Sequence, residues 1–169
     1  MKTIKDFLQA TSDFADNSKI WVYFANRIFS DSEFQDIQKQ FDDFSSQWKS
    51  HGAAMKNAMM IIENQIAIIS VDESLHAVSG CGIDSSVKIV KDIEQKYNIS
   101  FFERNWVFFK EKEVLNKMQL SEFKTYCNTN LDIKVINPYF NNLKDIRTNF
   151  YSKIEDSLYK NCLKKQSIQ

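Results

Sequence analysis

The sequence predicts an α+β protein with a ferredoxin-like core, the split βαβ arrangement βαββαβ. Hydrophobic patterns across residues 19–110 follow the order strand, helix, strand, strand, helix, strand. The chain of 169 residues is long enough for one substantial core, and its 14 phenylalanines can fill it. We therefore expect a single domain over residues 1–169, with an N-terminal helix before the core and a C-terminal α/β extension at 111–169.

The first part of the chain predicts a helix, a strand and a second helix. Apolar residues near helical spacing predict the first helix over residues 3–15. Residues 19–25 concentrate β-branched and aromatic side chains, which are typical of a buried strand. Ser30 and Glu33 have the spacing of a capping box, and an aromatic stripe follows them. The second helix is expected to end at His51-Gly52.

The middle of the chain predicts a hairpin followed by a helix. Residues 59–62 and 66–71 are short apolar runs, separated by a spacing that suits a hairpin. After a loop around Cys81, Asp84 or Ser85 would cap a helix that ends before Asn98.

The last third predicts a strand with a hairpin partner and two helices. Residues 106–109 read as the fourth strand of the core, with 113–115 as their partner and a helix at 120–127. A recurrence of about four residues predicts a C-terminal helix with a basic end at Lys164-Lys165. The residues that carry this recurrence are Leu143, Ile146, Phe150, Ile154, Leu158 and Cys162.

Charge and composition exclude several classes of protein. Lys and Arg (22) balance Asp and Glu (22), so no global field would attract nucleic acid. The start lacks an apolar signal and the longest apolar run is 58–62, so we expect a cytoplasmic protein without membrane insertion. Cys81, Cys127 and Cys162 are odd in number and widely spaced, which predicts reduced thiols rather than a disulfide framework. We predict no cofactor.

The predicted topology gathers polar side chains at one edge of the sheet. In a split βαβ path, the first helix ends, the second strand begins, the third strand ends and the second helix begins at the same edge. This predicts a cleft that brings together His51, Asp72, Glu73, His76 and Cys81.

Glycine placement favours the same location. The chain has only three glycines, one after His51 and two flanking Cys81, which indicates special conformations or close approach of the backbone. Before a helix, such a loop can offer N–H and hydroxyl donors to a phosphate or carboxylate. The candidate ligand-binding residues are Gly80, Gly82, Asp84, Ser85, Ser86 and Glu73. The alternative is a purely structural capping loop.

The same edge also fits a thiol-dependent enzyme. A helix N-terminus stabilises a thiolate, so Cys81 would be the nucleophile. His51 or His76 would act as the base, with Asp72 or Glu73 orienting the imidazole. No known cysteine-enzyme signature surrounds Cys81, and an inert cysteine is the structural alternative.

Three further interpretations stay open. The ligand types for a metal are present at this edge, but no tight ligand spacing supports one, and we predict no metal. His51 can instead cap the carbonyls of a helix C-terminus. The chain can also act by pairing with itself or with another protein, through an exposed sheet edge or the C-terminal helix.

Four segments resemble a family of short uncharacterised proteins often automatically labelled ABC transporter ATPase. They are Trp21-Val22-Tyr23 with Arg27 downstream, Trp48-Lys49-Ser50-His51-Gly52, Val71-Asp72-Glu73 and Ser79-Gly80-Cys81-Gly82-Ile83-Asp84-Ser85-Ser86-Val87. The resemblance covers roughly residues 19–145, with a weaker match at Phe140-Asn141-Asn142-Leu143, and the family usually has a serine where Gly82 stands. It implies a shared fold and a shared site around Cys81. The chain lacks the Walker A sequence GxxxxGK[ST], so the sequence predicts no ATP hydrolysis despite the label.

Overall fold

The computed structural model describes residues 1–103 and 105–163. They group into two compact units: the first holds Met1–Glu103 with Phe140–Arg147, and the second holds the described residues of Arg104–Tyr139 and Thr148–Gln169. Helices occur together with open antiparallel sheets, so the predicted α+β class is confirmed. That residues 1–169 form a single domain stays a prediction.

The first unit contains a three-stranded antiparallel sheet with helices. Its elements are α1 (Ile4–Ala10), β1 (Lys19–Phe24), α2 (Asp31–Gln47), β2 (Lys49–Ser50), β3 (Ala53–Ala54), β4 (Lys56–Ile62), β5 (Ile66–Asp72) and α3 (Gly80–Tyr97). The sheet order is β1-β5-β4, so the predicted hairpin of β4 and β5 is confirmed. All seven residues of β5 are buried, which explains its mainly apolar sequence. α1 is shorter than the predicted 3–15.

α2 begins as predicted and ends earlier. Ser30 and Glu33 form both halves of the capping box. The helix stops at Gln47, and His51-Gly52 form a tight turn between the short strands β2 and β3. Both turn residues have positive φ, 50° and 83°, as a two-residue hairpin turn requires. The alternative in which His51 caps a helix C-terminus is therefore wrong.

The N-cap of α3 lies five or six residues before the predicted one. Its N-cap is Ser79, which has extended backbone and accepts a hydrogen bond from the Gly82 amide at 3.1 Å. Gly80, Cys81 and Gly82 therefore form the first helical turn, and the prediction that Asp84 or Ser85 caps the helix is wrong. The other end is confirmed: Asn98 takes the left-handed conformation that stops the helix after Tyr97.

The second unit has its own sheet, with strand order β7-β6-β8-β9. Its elements are β6 (Trp106–Glu111), β7 (Val114–Gln119), α4 (Leu120–Tyr126), β8 (Lys134–Ile136) and β9 (Tyr151–Lys153). The β6–β7 hairpin and α4 are confirmed. β6 pairs with β7 and β8 and not with β1, so the predicted fourth strand of the core sheet is wrong and the ferredoxin-like arrangement is not confirmed.

The long C-terminal helix predicted from Leu143 onward is also wrong. α5 (Leu143–Asn149) is followed by β9 and by two short 3-10 turns, Ile154–Asp156 and Lys160–Cys162. Leu143, Ile146, Phe150 and Ile154 are buried as the apolar spacing indicates, but Leu158 of the same series is exposed. The spacing did not predict the backbone conformation, because pairing of β9 with β8 competes with continuation of the helix. The predicted basic end at Lys164-Lys165 lies outside the described residues.

In the part of the chain that the structure describes, no helix combines the length and the apolar character that a membrane crossing requires.

Candidate functional site

A buried serine ties together the segments that carry the predicted site. The Ser50 hydroxyl donates to the Ala77 carbonyl at 3.0 Å and accepts from the Ser79 amide at 3.1 Å. It therefore joins the β2–β3 turn to the loop before α3. We call the region made by His51–Gly52, loop 73–79 and the first turn of α3 the α3 edge. These hydrogen bonds join Ser50, Ala77 and Ser79. In sequence, His51 and His76 are next to Ser50 and Ala77, and Cys81 is two residues after Ser79.

The predicted site residues differ in their access to solvent. His51, His76, Gly80, Cys81, Asp84 and Ser85 are exposed, Glu73 is half-buried, and Asp72, Gly82 and Ser86 are buried. The exposed surface of the α3 edge thus includes two imidazoles, one thiol and the open end of a helix.

Asp72 is held by its own neighbours. One carboxylate oxygen accepts from the Ser74 amide at 2.9 Å, and the other accepts from the Ala15 amide at 3.2 Å and pairs with Lys56 at 3.1 Å. Burial alone would favour the protonated acid, but the hydrogen bonds from Ser74 and Lys56 lower the pKa of Asp72 to about 2. These contacts connect β4, β5 and the segment after α1, and none of them reaches an imidazole.

Glu73 has a comparable structural role. Its Oε1 accepts from the Val78 amide at 2.8 Å and lies 3.1 Å from the Lys19 ammonium. The carboxylate closes loop 73–79 and links it to the start of β1. Among the described residues, the hydrogen bonds of Asp72 and Glu73 support loop closure and not the orientation of a histidine base.

The serines of α3 direct their hydroxyl groups at the helix itself. Ser85 donates to the Cys81 carbonyl at 2.8 Å, and Ser86 donates to the Ile83 carbonyl at 2.7 Å. Both bonds are the local back-bonding that serine makes inside helices. These hydroxyl protons are already used, so Ser85 and Ser86 are weaker candidates for donating to a ligand than the sequence suggested.

The three glycines have three different surroundings. Gly52 needs its positive φ for the turn. Gly82 is fixed by packing, since a Cβ there would lie 3.0 Å from Val78 and 3.3 Å from the Trp48 indole nitrogen. Gly80 has neither reason: its φ is not positive, and a Cβ added there would meet no heavy atom within 4 Å. Gly80 leaves the start of α3 open to solvent.

Trp48 lies directly beneath this helical turn. Its side chain is buried in the core of the first unit. The indole Nε1 is buried and has no hydrogen-bond partner among the described residues. Because Nε1 sits against Gly82, the indole leaves little room for a side chain at that position.

Metal ligands and cavities give no support to a cleft at the α3 edge. Within residues 1–103 and 105–163, no group of three His, Cys, Asp or Glu side chains is placed to hold a metal ion. Cavities of about 320 and 880 Å³ lie in the second unit, and one of about 410 Å³ lies between α2 and α3. None of these three is the cleft that the sequence predicted.

Two residues that organise the α3 edge were missed from the sequence. Ser50 joins its segments and Ser79 caps α3. Ser79 stands before a helical pattern as N-caps do, but the flanking glycines obscured where the helix starts. Ser50 had no local signal, since both of its partners are more than 25 residues away.

No protein-family model, no curated protein and no solved structure matches this chain. The resemblance to proteins labelled ABC transporter ATPase therefore stays a prediction.

Proposed function

We propose that this protein binds a small anion at the α3 edge, with the N-terminus of α3 as the main donor. The observation that carries the proposal is Gly80. It is the one glycine of the three that neither backbone conformation nor packing explains. At the first position of an 18-residue helix, a residue without a side chain leaves backbone N–H groups accessible where the helix dipole favours negative charge.

The hydrogen bonds of the first turn support the proposal. The Gly82 amide donates to the Ser79 hydroxyl and the Ile83 amide to the Ser79 carbonyl, at 3.1 and 3.0 Å. In residues 1–103 and 105–163, no acceptor is found for the Gly80 and Cys81 amides, which therefore remain as the two donors at the open end. The imidazoles of His51 and His76 border the same edge and add ring N–H donors.

The charges around the site favour a ligand of low charge. Asp84 is exposed one turn into α3. It is not the N-cap, so its carboxylate is not occupied there and repels an anionic ligand. Glu73 is already paired with Lys19. A carboxylate or another singly charged anion is therefore favoured over a multiply charged phosphate ester.

Replacing Gly80 with proline tests the proposal without disturbing the fold. Proline is well tolerated at the first helical position, and Ser79 already has the extended backbone that a following proline requires. Gly80→Pro removes the donor N–H and adds a ring, while Gly80→Ala adds one Cβ and keeps the N–H. In thermal-shift titrations with acetate and with inorganic phosphate, we expect saturable stabilisation of the wild type, a weaker one in Gly80→Ala because its Cβ narrows access to the amides, and a loss of it in Gly80→Pro. Equal responses from all three proteins, or none from any, would refute binding at this turn.

A thiol-dependent enzyme is the second candidate, because the Cys81 thiol is exposed in the first turn of α3. Cys81 would act as nucleophile with His51 or His76 as base. Iodoacetamide labelling of Cys81 across pH separates the two functions. Labelling that is fast near neutral pH and slowed by His51→Gln or His76→Gln supports the enzyme, whereas labelling at the rate of a free thiol in every variant removes its basis.

A further inference from the structure

Two of the three cysteines belong to one hydrophobic cluster of the second unit, although 35 positions separate them in sequence. Cys127 follows α4 and is completely buried in a hydrophobic cluster with Phe109 and Phe123. Cys162 ends the last 3-10 turn and packs against the same cluster while staying partly accessible. Nothing in the cysteine spacing indicates this proximity, since the spacing matches no known pattern.

Asn128 fixes the relative position of the two cysteines. Its Nδ2 lies 3.7 Å from the Cys127 sulfur and donates to the Cys162 carbonyl at 3.1 Å. One amide nitrogen thus contacts both residues, which limits their separation to the reach of a single side chain. The ring of Tyr159 also packs on Phe123 of α4, with centroids 5.6 Å apart, and holds the turn that carries Cys162 against the helix.

The two thiols have different access to reagents. Burial raises the pKa of the Cys127 thiol, and the neighbouring Cys162 raises it further, so Cys127 is a poor first nucleophile. Cys162 is the accessible member of the pair. This combination of one accessible and one sheltered thiol is the arrangement of a reacting and a resolving cysteine.

We propose that Cys127 and Cys162 are a modification site that hydrogen peroxide converts into a reversible disulfide. The Cys162 thiolate attacks one peroxide oxygen and the O–O bond breaks. Hydroxide is the leaving group, and Cys162 becomes a sulfenic acid. Cys127 then gives up its proton and attacks the Cys162 sulfur, so that an S–S bond forms, the S–O bond breaks and the oxygen leaves as water. The two thiols lose two electrons in total, and peroxide is reduced to two waters.

The disulfide would fasten the C-terminal turn to α4. In the reduced protein, the turn Lys160–Cys162 is held by packing and by the bond from Asn128. A covalent link between α4 and this turn would restrict the unfolded chain and slow local opening of the C-terminal segment. Small thiols would reverse the change.

Peptide mapping tests the proposal in a background free of the third thiol. Cys81 is exposed and belongs to the first unit, so Cys81→Ser serves as the parent and prevents links between molecules. After mild peroxide treatment under native conditions, we expect the parent to lose both titratable thiols and to yield a tryptic peptide joining Cys127 to Cys162. Dithiothreitol should restore both thiols, and the oxidised parent should unfold at a higher temperature than the reduced one.

A second variant keeps the outcome clear. Cys81→Ser/Cys162→Ser removes the partly accessible thiol and leaves the buried Cys127 in place, and its Cys127 should stay a free thiol after the same treatment. The proposal is overturned if the parent, folded by circular dichroism, retains both thiols or acquires only sulfinic acids. It is equally overturned if the linked peptide forms only in urea.

Discussion

At the level of single side chains, the glycines show how one sequence signal can have separate physical causes. Their scarcity indicates special positions, but Gly52 serves a turn, Gly82 makes room for Trp48 and Val78, and Gly80 does neither. Only the surroundings of each backbone carbon separate these causes.

Gly82→Ala and Gly80→Ala are a matched pair within one helical turn. A Cβ at Gly82 would press on Val78 and the Trp48 indole, so we expect a loss of about 1–3 kcal/mol in the free energy of unfolding. At Gly80 the same change meets open space, and the better helix propensity of alanine should keep stability unchanged or raise it by up to about 1 kcal/mol. Urea unfolding of both variants checks this; equal effects would contradict the packing explanation.

Among the helices and strands, β4 is protected at its outer edge by a side chain of α2. Gln38 is buried, its Nε2 donates to the Met59 carbonyl at 3.1 Å, and its Oε1 accepts from the Ile61 amide at 3.0 Å. The amide thus supplies the bonds that a neighbouring strand would otherwise make.

Gln38→Leu removes these bonds and leaves an apolar side chain in the same buried position. The Met59 carbonyl and the Ile61 amide then lose their partner in a buried place, so we expect a loss of about 2–3 kcal/mol in unfolding free energy. Gln35→Leu, an exposed change in the same helix, should alter stability by about 0.5 kcal/mol or less. Similar losses in chemical denaturation of both variants would rule out this role for Gln38.

Asp72 connects β5 to β4 and to the segment after α1, and its contribution depends on pH. Its folded pKa of about 2 lies below the unfolded value, so the stabilisation is complete above about pH 4 and is lost as the pH falls toward 2. Asp72→Asn should therefore be less stable than the wild type by about 2 kcal/mol at pH 7, with the difference shrinking below about pH 4. Thermal unfolding from pH 7 to pH 2 measures it. Asp84→Asn is the exposed control, and a pH-independent difference for Asp72→Asn would refute the linkage.

For the chain as a whole, the first unit is completed by residues from far along the sequence. Arg147 donates to the carbonyls of Thr11 and Phe14, at 2.8 and 3.0 Å, and pairs with Asp16. The Leu143 amide adds a bond to the Ser18 carbonyl at 3.0 Å. The segment between α1 and β1 thus depends on contacts with residues 140–147.

Arg147→Met should release the segment between α1 and β1. Two carbonyls and one carboxylate lose a charged donor, so we expect a loss of about 1.5–3 kcal/mol in stability. Amide hydrogen exchange should accelerate over residues 11–18. Lys153→Met, at an exposed lysine of the second unit, is the control. Unchanged exchange over residues 11–18 would show that Arg147 does not hold this segment.

The predictions that held concern neighbouring residues. The capping box at Ser30, the β4–β5 hairpin and the stop at Asn98 each depend on side chains within a few positions of one another. The gathering of His51, His76 and Cys81 at one edge stays a prediction. It was drawn from the path of α2, β4, β5 and α3 and did not depend on the fourth strand, whose placement was wrong.

The residue order thus defines the helices, strands and turns, because periodicity and caps act over a few positions. The fold decides which sheet β6 joins, where the helix of Leu143 stops, and which carboxylates remain available at the α3 edge. An apolar strand can pair with any compatible edge, so only the packing of distant segments selects β8 and not β1 as the second partner of β6. Distant contacts also decide the role of Asp72. The sequence indicates a candidate catalytic group, but in the folded chain its carboxylate is bound by Ala15, Ser74 and Lys56.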